Sequence, residues 1–279
     1  MTATVRDAVV GFLRDTGMTT VFGNPGSTEL RMVRDWPDDF TYVLGLQEST
    51  AVGMAAGHAL GTRGAVFVAL LKEADRDPPP PRPAPPAAPG EGSLTPELFF
   101  DLLRPRLPRD RVLVEEAPSH RDALHARVPV DLGGGFLTTG SGALGWGLPL
   151  AVGRALADGR RVVCVVGDGS ALYSVQALWT AARHAAPVTF VLLDNGGYGA
   201  VRALGRRIGL THVPGTDIEG IDFTGLAQSF GCPAARAEHA AELPAALDHA
   251  LGRDDDAGPF LLHVRVTGSV GTLYEPWAG

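Results

Sequence analysis

The chain has 279 residues, of which 45% are hydrophobic, and it carries a formal net charge of −7. This length suits one large or two ordinary domains, and the apolar content is sufficient for a core. An acidic balance provides no basic surface for nucleic acid or anionic membranes, and no uninterrupted apolar run approaches the roughly 20 residues of a membrane span. We therefore expect a soluble, cytoplasmic protein without a nucleic-acid or membrane partner. Cys164 and Cys232 match neither a disulfide framework nor a zinc site.

The N-terminal segment is predicted to alternate helices and strands. The helices are Val5–Asp15, Thr28–Asp35 and Ser49–Arg63, and the strands are Thr19–Phe22, Thr41–Leu46 and Ala65–Leu71. Glu48 stands at a strand-to-helix junction, where a carboxylate favoured by the helix dipole is an ordinary feature. Ser27 closes a glycine-proline turn, where its hydroxyl can cap the next helix.

A linker follows this segment. The run KEADRDPPPPRPAPPAAPGEGS is rich in proline, charge and small residues and has little to bury. It predicts a disordered or polyproline-II connection over 73–93, between an N-terminal domain at 1–72 and a second domain at 94–279.

The second domain has the pattern of a parallel α/β fold, with helices on both faces of the sheet. Short apolar runs predict fully buried strands, and the strands are Arg111–Val114, Arg161–Val166, Val188–Leu193 and Pro259–Val266. The predicted helices are Thr95–Arg104, Trp146–Ala157, Ser174–Ala185 and Phe223–Phe230. We interpret Glu115 and Glu116 as a polar strand end and His263 as a core histidine. The sequence suggests no role for His120.

Two glycine turns follow neighbouring strands of this sheet. The first is Gly167-Asp168-Gly169-Ser170, and the second contains Asn195 and Gly197. A right-handed crossover brings both strand ends to one edge, so Asp168 and Asn195 are expected to face one site. Carboxylate and amide oxygens, with a backbone carbonyl that we assign to Gly197, suit Mg²⁺ and its phosphate ligands. The alternative is a pair of ordinary α/β loops.

The GDGS turn, with an Asn 27 residues after its Asp, resembles the diphosphate-binding motif of thiamine diphosphate (ThDP) enzymes. FGNPGSTEL and LGLQESTAVGMAAGHALGTR resemble the opening of the benzoylformate decarboxylase branch of that family. The resemblance implies a complete diphosphate-binding domain and a truncated pyrimidine-binding domain, without the family's central domain.

Residue roles follow from the resemblance. Mg²⁺ would be held by Asp168, Asn195 and Gly197. Glu48 would hydrogen-bond the aminopyrimidine of a cofactor in the neighbouring subunit, and Ser27 would face the substrate. The cofactor would be bound by Ser119, Gly142, Leu144, Gly167, Asp168, Gly169, Ser170, Asn195, Gly197 and Tyr198, with the Gly142 carbonyl accepting from its amino group and Leu144 bending it. The alternative for the stretch around Leu144 is a glycine-rich entry to a buried helix.

The activity implied by the resemblance is ThDP- and Mg²⁺-dependent decarboxylation or carboligation of a 2-oxo acid, in a homo-oligomer whose site lies between subunits. Leu71 stands where the family carries a histidine for proton transfer. Ala203 and Leu204 replace larger aromatic residues, so the substrate need not be aromatic. Two alternatives stay open: a ThDP-binding protein without turnover, and one subunit of a split enzyme completed by a partner.

Overall fold

The computed structural model describes residues 5–23, 37–44, 46, 48–63, 94–108, 110–129, 135–138, 143–207, 209–254 and 257–267. Several sequence predictions lie outside these residues: the helix Thr28–Asp35, the strand Ala65–Leu71, the linker 73–93, and the sites assigned to Ser27 and Gly142.

The described part of the N-terminal segment contains two helices and a small parallel sheet. In chain order these are α1 Val5–Asp15, β1 Thr20–Gly23, β2 Thr41–Leu44 and α2 Glu48–Thr62. Strands β1 and β2 pair in parallel, with Thr20 opposite Thr41. Both helices end within one residue of the predicted bounds.

Among the residues that the structure describes, six parallel strands form the main sheet. They are β3 Val112–Glu116, β4 Phe136–Thr138, β5 Val162–Gly167, β6 Val188–Asp194, β7 Ala234–Ala237 and β8 Phe260–Arg265. Their spatial order is β4-β3-β5-β6-β8-β7. Strands β4 and β7, of three and four residues, escaped prediction because so short a run carries no clear period.

Helices cover both faces of this sheet, as predicted. They are α3 Pro96–Leu103, α4 Arg121–Arg127, α5 Gly147–Asp158, α6 Asp168–Ala171, α7 Ala177–Arg183, α8 Gly199–Arg207, α9 Phe223–Ser229 and α10 Leu243–Leu251. The predicted crossover helix Ser174–Ala185 is wrong at its start. Ser174 accepts from the N–H of Ala177 three residues later, in a tight turn that delays the helix. No helix in the described ranges is both long and apolar enough to cross a bilayer.

The strands alternate their side chains between two cores. Val112 and Val114 of β3 join the core on one face, whereas Leu113 joins the core on the other. All three are at most 1% exposed. Burial on both faces explains why these strands are almost continuously apolar.

The N-terminal segment shares the first of these cores. Met54 of α2 and Val43 of β2 belong to the same buried cluster as Val152 of α5. A Cβ atom added to Gly57 would lie 2.0 Å from the Leu150 carbonyl oxygen. Glycine therefore permits α2 and α5 to approach until their backbones touch.

Candidate active site

A pocket that is partly open to solvent lies at the carboxyl ends of β3, β5 and β6. From β3 the chain moves outward to β4, and then crosses back to β5 and continues to β6 on the other side. Such a reversal leaves a crevice beyond the strand ends, which is where open α/β sheets bind ligands. The fold therefore creates the pocket through its strand order.

Most of the sequence-predicted site residues line this pocket. They are Ser119, Leu144, Gly167, Asp168, Gly169, Ser170, Asn195, Gly197 and Tyr198. Glu48 is the first residue of α2, and its side chain lies outside the described part of the structure. Further lining residues that the sequence did not suggest are Ala117, Pro118, His120, Leu193, Ala200 and Val201.

Asp168 is a buried carboxylate held by backbone N–H groups. Gly169 N–H donates to Oδ1 at 2.8 Å, and Gly197 N–H donates to Oδ2 at 2.6 Å. Burial, reinforced by the nearby Asp194 carboxylate, raises the pKa of Asp168 to about 7 despite these donors. In the described part of the chain no cationic side chain pairs with Asp168, so a bound cation would offset the cost of its charge.

The negative charge of the neighbouring Asp194 carboxylate is stabilised by hydrogen bonds from the protein. It accepts from Arg265 Nη1 and contacts His263 Nε2, each at 2.9 Å. The Gly196 N–H donates to its other oxygen at 2.9 Å. These hydrogen bonds outweigh desolvation and hold the pKa of Asp194 well below its usual range. His263 is buried, as predicted, and helps to shape the turn that carries Asn195.

Asn195 and Gly197 provide the remaining oxygens expected of a magnesium site. Asn195 Oδ1 is buried and has no hydrogen-bond partner within the described residues. The Gly197 carbonyl accepts from Gly199 N–H at 2.8 Å, which leaves it one lone pair. An orphaned amide oxygen beside an uncompensated carboxylate is a set of hard donors that fits Mg²⁺.

Two further contacts shape the pocket wall. A Cβ atom on Gly169 would lie 2.6 Å from Cε1 of Tyr198, so glycine is required where the turn meets this ring. Ser119 Oγ accepts from Ala200 N–H at 3.0 Å, which ties the turn after β3 to the first turn of α8. Three pocket loops are thus joined by direct contacts.

Glu115 and Glu116, interpreted from sequence as a polar strand end, are buried instead, and that interpretation is wrong. Glu116 accepts from Gly145 N–H and from Gly147 N–H, each at 2.5 Å. Glu115 accepts from Arg121 Nε at 3.0 Å. Because the Glu116 contacts lie next to Leu144, this carboxylate positions the loop that carries the predicted cofactor wedge. Two adjacent acids closing an apolar strand are the sequence signal that could have indicated this role.

Glu116 leads to a prediction about pH. Burial raises the pKa of Glu116 to about 7 in the folded protein. The folded state therefore holds this proton more tightly than the unfolded state, and stability falls as pH rises from about 4.5 to 7. Glu116→Gln cannot ionise, so we expect its stability not to fall in this way. The free energy of unfolding of the variant, relative to that of the native chain, should therefore rise by up to about 1.4 kcal/mol per pH unit over this range.

Urea unfolding of both proteins at pH 5, 6, 7 and 8 measures this difference. Glu219→Gln, at an exposed site, is the matched control and should show no such trend. A difference between Glu116→Gln and the native chain that stays constant with pH would contradict the prediction.

His120 is the second residue that sequence reasoning missed. It follows Ser119 in the pocket wall and is 4% exposed. Its Nε2 atom lies 3.3 Å from Asn195 Nδ2. Burial lowers the pKa of His120 to about 4, with the charge of Glu97 opposing the shift. The signal in the sequence was its place next to Ser119, in the turn that follows β3.

Comparison with known proteins places these features in a family. A model described as the thiamine pyrophosphate enzyme C-terminal TPP binding domain matches residues 120–264. A second, described as the thiamine pyrophosphate enzyme N-terminal TPP binding domain, matches residues 3–72. The two matches lie on either side of the predicted linker.

Curated relatives are similar over part of their length. Benzoylformate decarboxylase of Pseudomonas aeruginosa is 42% identical over 174 residues, which are 62% of this chain and 33% of that protein. The acetolactate synthase isozyme 2 large subunit of Escherichia coli is 34% identical over 181 residues, 64% of this chain and 32% of that protein. The chain thus spans about a third of the length of these relatives.

Solved structures share the fold. The thiamine diphosphate-dependent 4-hydroxybenzoylformate decarboxylase of Rhodococcus jostii RHA1 superposes with a TM-score of 0.84 at 20% identity, covering 96% of this chain and 100% of that one. Benzoylformate decarboxylase from Polynucleobacter necessarius gives a TM-score of 0.80 at 18% identity, covering 97% and 100%. With the C-terminal domain model matching more than half of its residues, this chain belongs to the thiamine pyrophosphate enzyme family.

Proposed function

We propose that this protein binds ThDP with Mg²⁺ and acts on a 2-oxo acid as a non-oxidative decarboxylase or carboligase. The observation that carries the proposal is that the buried Asp168 carboxylate and Asn195, whose Oδ1 has no hydrogen-bond partner among the described residues, line one pocket at the carboxyl ends of β5 and β6. Burying either group without a cation or a hydrogen-bond donor costs free energy. A hydrated cation with diphosphate oxygens would supply a partner for both oxygens. The similarity to benzoylformate decarboxylase supports the substrate class.

The proposed roles divide between the two parts of the chain. Asp168, Asn195 and Gly197 would hold the metal, while Ser119 and Ser170 offer hydroxyl donors for the diphosphate. ThDP, when bound, supplies an acidic C2–H and an electron sink for cleaving or forming a bond next to a carbonyl carbon. The protein supplies orientation, exclusion of water and proton transfer.

Glu48 is the proposed proton-transfer residue. It begins α2, and α2 packs on α5, the helix that follows the Leu144 loop. The resemblance assigns this position to a carboxylate that exchanges a proton with the aminopyrimidine. We infer that Glu48 acts on the cofactor of the neighbouring subunit, and that a contact of the α2–α5 kind between two chains would deliver it there.

Slow turnover is expected from this protein. Leu71 stands where the resemblance leads us to expect a histidine. Absence of one positioned acid or base typically costs about 10²- to 10⁴-fold in rate. The same observation favours the second candidate, a ThDP-binding protein without turnover of its own. The remaining alternative is one subunit of a split enzyme. Unlike a binding protein without turnover, such a subunit would gain turnover when its partner chain is added.

Replacement of Glu48 by glutamine tests the proposal. Glu48→Gln should preserve binding of ThDP and Mg²⁺, because the proposed diphosphate and metal contacts come from residues after Ala117. It should slow exchange of the ThDP C2 proton by about 10²-fold or more, because a neutral amide cannot exchange the required proton. Hydrogen–deuterium exchange at C2, followed by NMR, reads this step without knowledge of the substrate.

Three outcomes are informative. Failure of the native protein to bind ThDP with Mg²⁺ in a calorimetric titration would refute the proposal altogether. Binding without accelerated C2 exchange would leave the binding protein as the function. Equally fast exchange in Glu48→Gln and the native chain would reduce Glu48 to a helix-start carboxylate. Mixing the Glu48→Gln and Asp168→Ala variants tests the assembly. The Asp168→Ala chain keeps Glu48, and the Glu48→Gln chain keeps the proposed metal site. Recovery of C2 exchange in the mixture would therefore require Glu48 of one chain to act on the cofactor of the other.

A further inference from the structure

His120 and Asn195 form a contact that the proposed roles do not use. His120 Nε2 lies 3.3 Å from Asn195 Nδ2, inside the pocket wall. Both His120 Nδ1 and Asn195 Oδ1 are buried, and neither has a hydrogen-bond partner among the residues that the structure describes. His120 as a whole is 4% exposed, so water cannot freely satisfy its ring.

The amide nitrogen of Asn195 faces the ring, and this orientation determines the direction of the hydrogen bond. An amide nitrogen only donates, so Nε2 of a neutral imidazole must accept and the ring proton lies on Nδ1. With Nδ2 engaged by His120, the Oδ1 atom occupies the other branch of the amide. Without His120, the amide could turn by 180° and present its NH₂ group, which cannot ligate a cation.

We propose that His120 is a positioning residue that orients the Asn195 amide so that Oδ1 faces the metal. The proposal rests on the proposed function, in which Asn195 is a magnesium ligand, and adds a residue that acts on the metal through Asn195. A histidine that served only to fill space would leave both ring nitrogens unsatisfied, at about 1 to 3 kcal/mol each, whereas the contact with Asn195 satisfies Nε2. An apolar side chain would fill the space without that cost.

The test compares three replacements in the full-length protein. His120→Gln can place an acceptor oxygen near the Nε2 position, whereas the shorter side chains of His120→Asn and His120→Ala cannot reach Asn195. At saturating ThDP, we expect the Mg²⁺ concentration for half-saturation to rise about 10- to 100-fold in the Ala and Asn variants, as is typical when a ligand-orienting partner is lost. The Gln variant should stay within about threefold of the native chain. Calorimetry with Mg²⁺ and electron paramagnetic resonance with Mn²⁺ both report this quantity without turnover.

A change at Asn195 separates orientation from packing. In an Asn195→Asp background both terminal atoms are oxygens, so the side chain needs no orientation. There, His120→Ala should change the Mg²⁺ requirement less than threefold. His212→Gln, at an exposed position, is the control for histidine loss and should match the native chain.

The results distinguish this inference from the proposed function. No ThDP and Mg²⁺ binding by the native protein would overturn both. Native binding with an unchanged Mg²⁺ requirement in His120→Ala would overturn the positioning role and leave the proposed function standing. An equal loss in the Gln and Ala variants, or an undiminished loss in the Asn195→Asp background, would also overturn it, because packing alone would then explain the effect.

Discussion

Replacing Asp168 with alanine should abolish Mg²⁺-dependent binding of ThDP. Asp168 is the only anionic ligand proposed from the protein, and its carboxylate is 3% exposed and raised in pKa by burial. The expected loss of affinity exceeds the about 10- to 100-fold typical of residues that merely orient a ligand. Asn195→Ala should weaken binding less, because water can replace a neutral oxygen in the coordination shell.

The fold should survive this change. Asp168→Ala removes two hydrogen-bond acceptors but also removes a carboxylate that is costly to bury, so the opposing effects on stability partly cancel. Asp217→Ala is the control, because Asp217 is an exposed carboxylate close to Gly197 that has no proposed metal role. Isothermal titration with ThDP at fixed Mg²⁺ measures affinity, and circular dichroism monitors the fold. Native-like affinity in Asp168→Ala would refute the proposed metal site.

Gly57→Ala should separate the N-terminal segment from the second domain. The added Cβ atom would lie 2.0 Å from the Leu150 carbonyl oxygen, and this backbone atom cannot rotate away. Gly153→Ala meets the Met54 carbonyl oxygen at 1.7 Å from the other side. We expect each change to cost about 3 kcal/mol, at the upper end for overpacked sites. Each substitution should also reduce the protection of the α2 backbone amides from hydrogen exchange.

A second glycine in the same segment is the matched control. Gly11 also lies inside a helix, but its added Cβ atom would meet nothing within 4 Å. Gly11→Ala should therefore leave α2 protected and stabilise the chain slightly, since alanine is favoured over glycine in helices by about 1 kcal/mol. If Gly57→Ala and Gly11→Ala have the same stability and the same α2 protection, the close α2–α5 contact is not present in solution.

This contact also links stability to chemistry. Because Glu48 begins α2, separation of α2 from α5 should slow C2 exchange of the cofactor. Diphosphate and metal binding should be retained, since Asp168 and Asn195 follow strands of the main sheet. Gly57→Ala and Asp168→Ala are therefore expected to have opposite consequences: the first keeps the cofactor without activating it, and the second loses the cofactor.

The sheet and its central turns could be predicted because their determinants are local. Arg161–Val166 and Val188–Leu193 are apolar runs that end in glycine turns. The observed β5 is shifted by one residue at both ends, and β6 extends one residue further at its end. A right-handed crossover then places the two turns side by side. Convergence of Asp168 and Asn195 in one pocket was accessible on these grounds.

Other contacts of the site could not be predicted, because they join residues distant in sequence. Glu116 binds the Gly145 and Gly147 N–H groups about 30 positions away, and Asp194 meets His263 across 69 positions. Nothing near these residues indicates their partners, since strand order determines the pairing. The assignment of Glu116 to a polar strand end failed for this reason: the loop that buries it arrives from elsewhere in the chain.

The sequence by itself determined the fold class, the two glycine turns that follow β5 and β6, and the family resemblance, because strand periodicity and turn chemistry are encoded in consecutive residues. The tertiary structure decided which groups surround those turns. It buried Glu116 beneath the Leu144 loop, placed His120 against Asn195, and packed α2 on α5 through Gly57 and Gly153. These contacts depend on which elements become neighbours when the sheet is assembled, and their partners are separated by tens of residues along the chain.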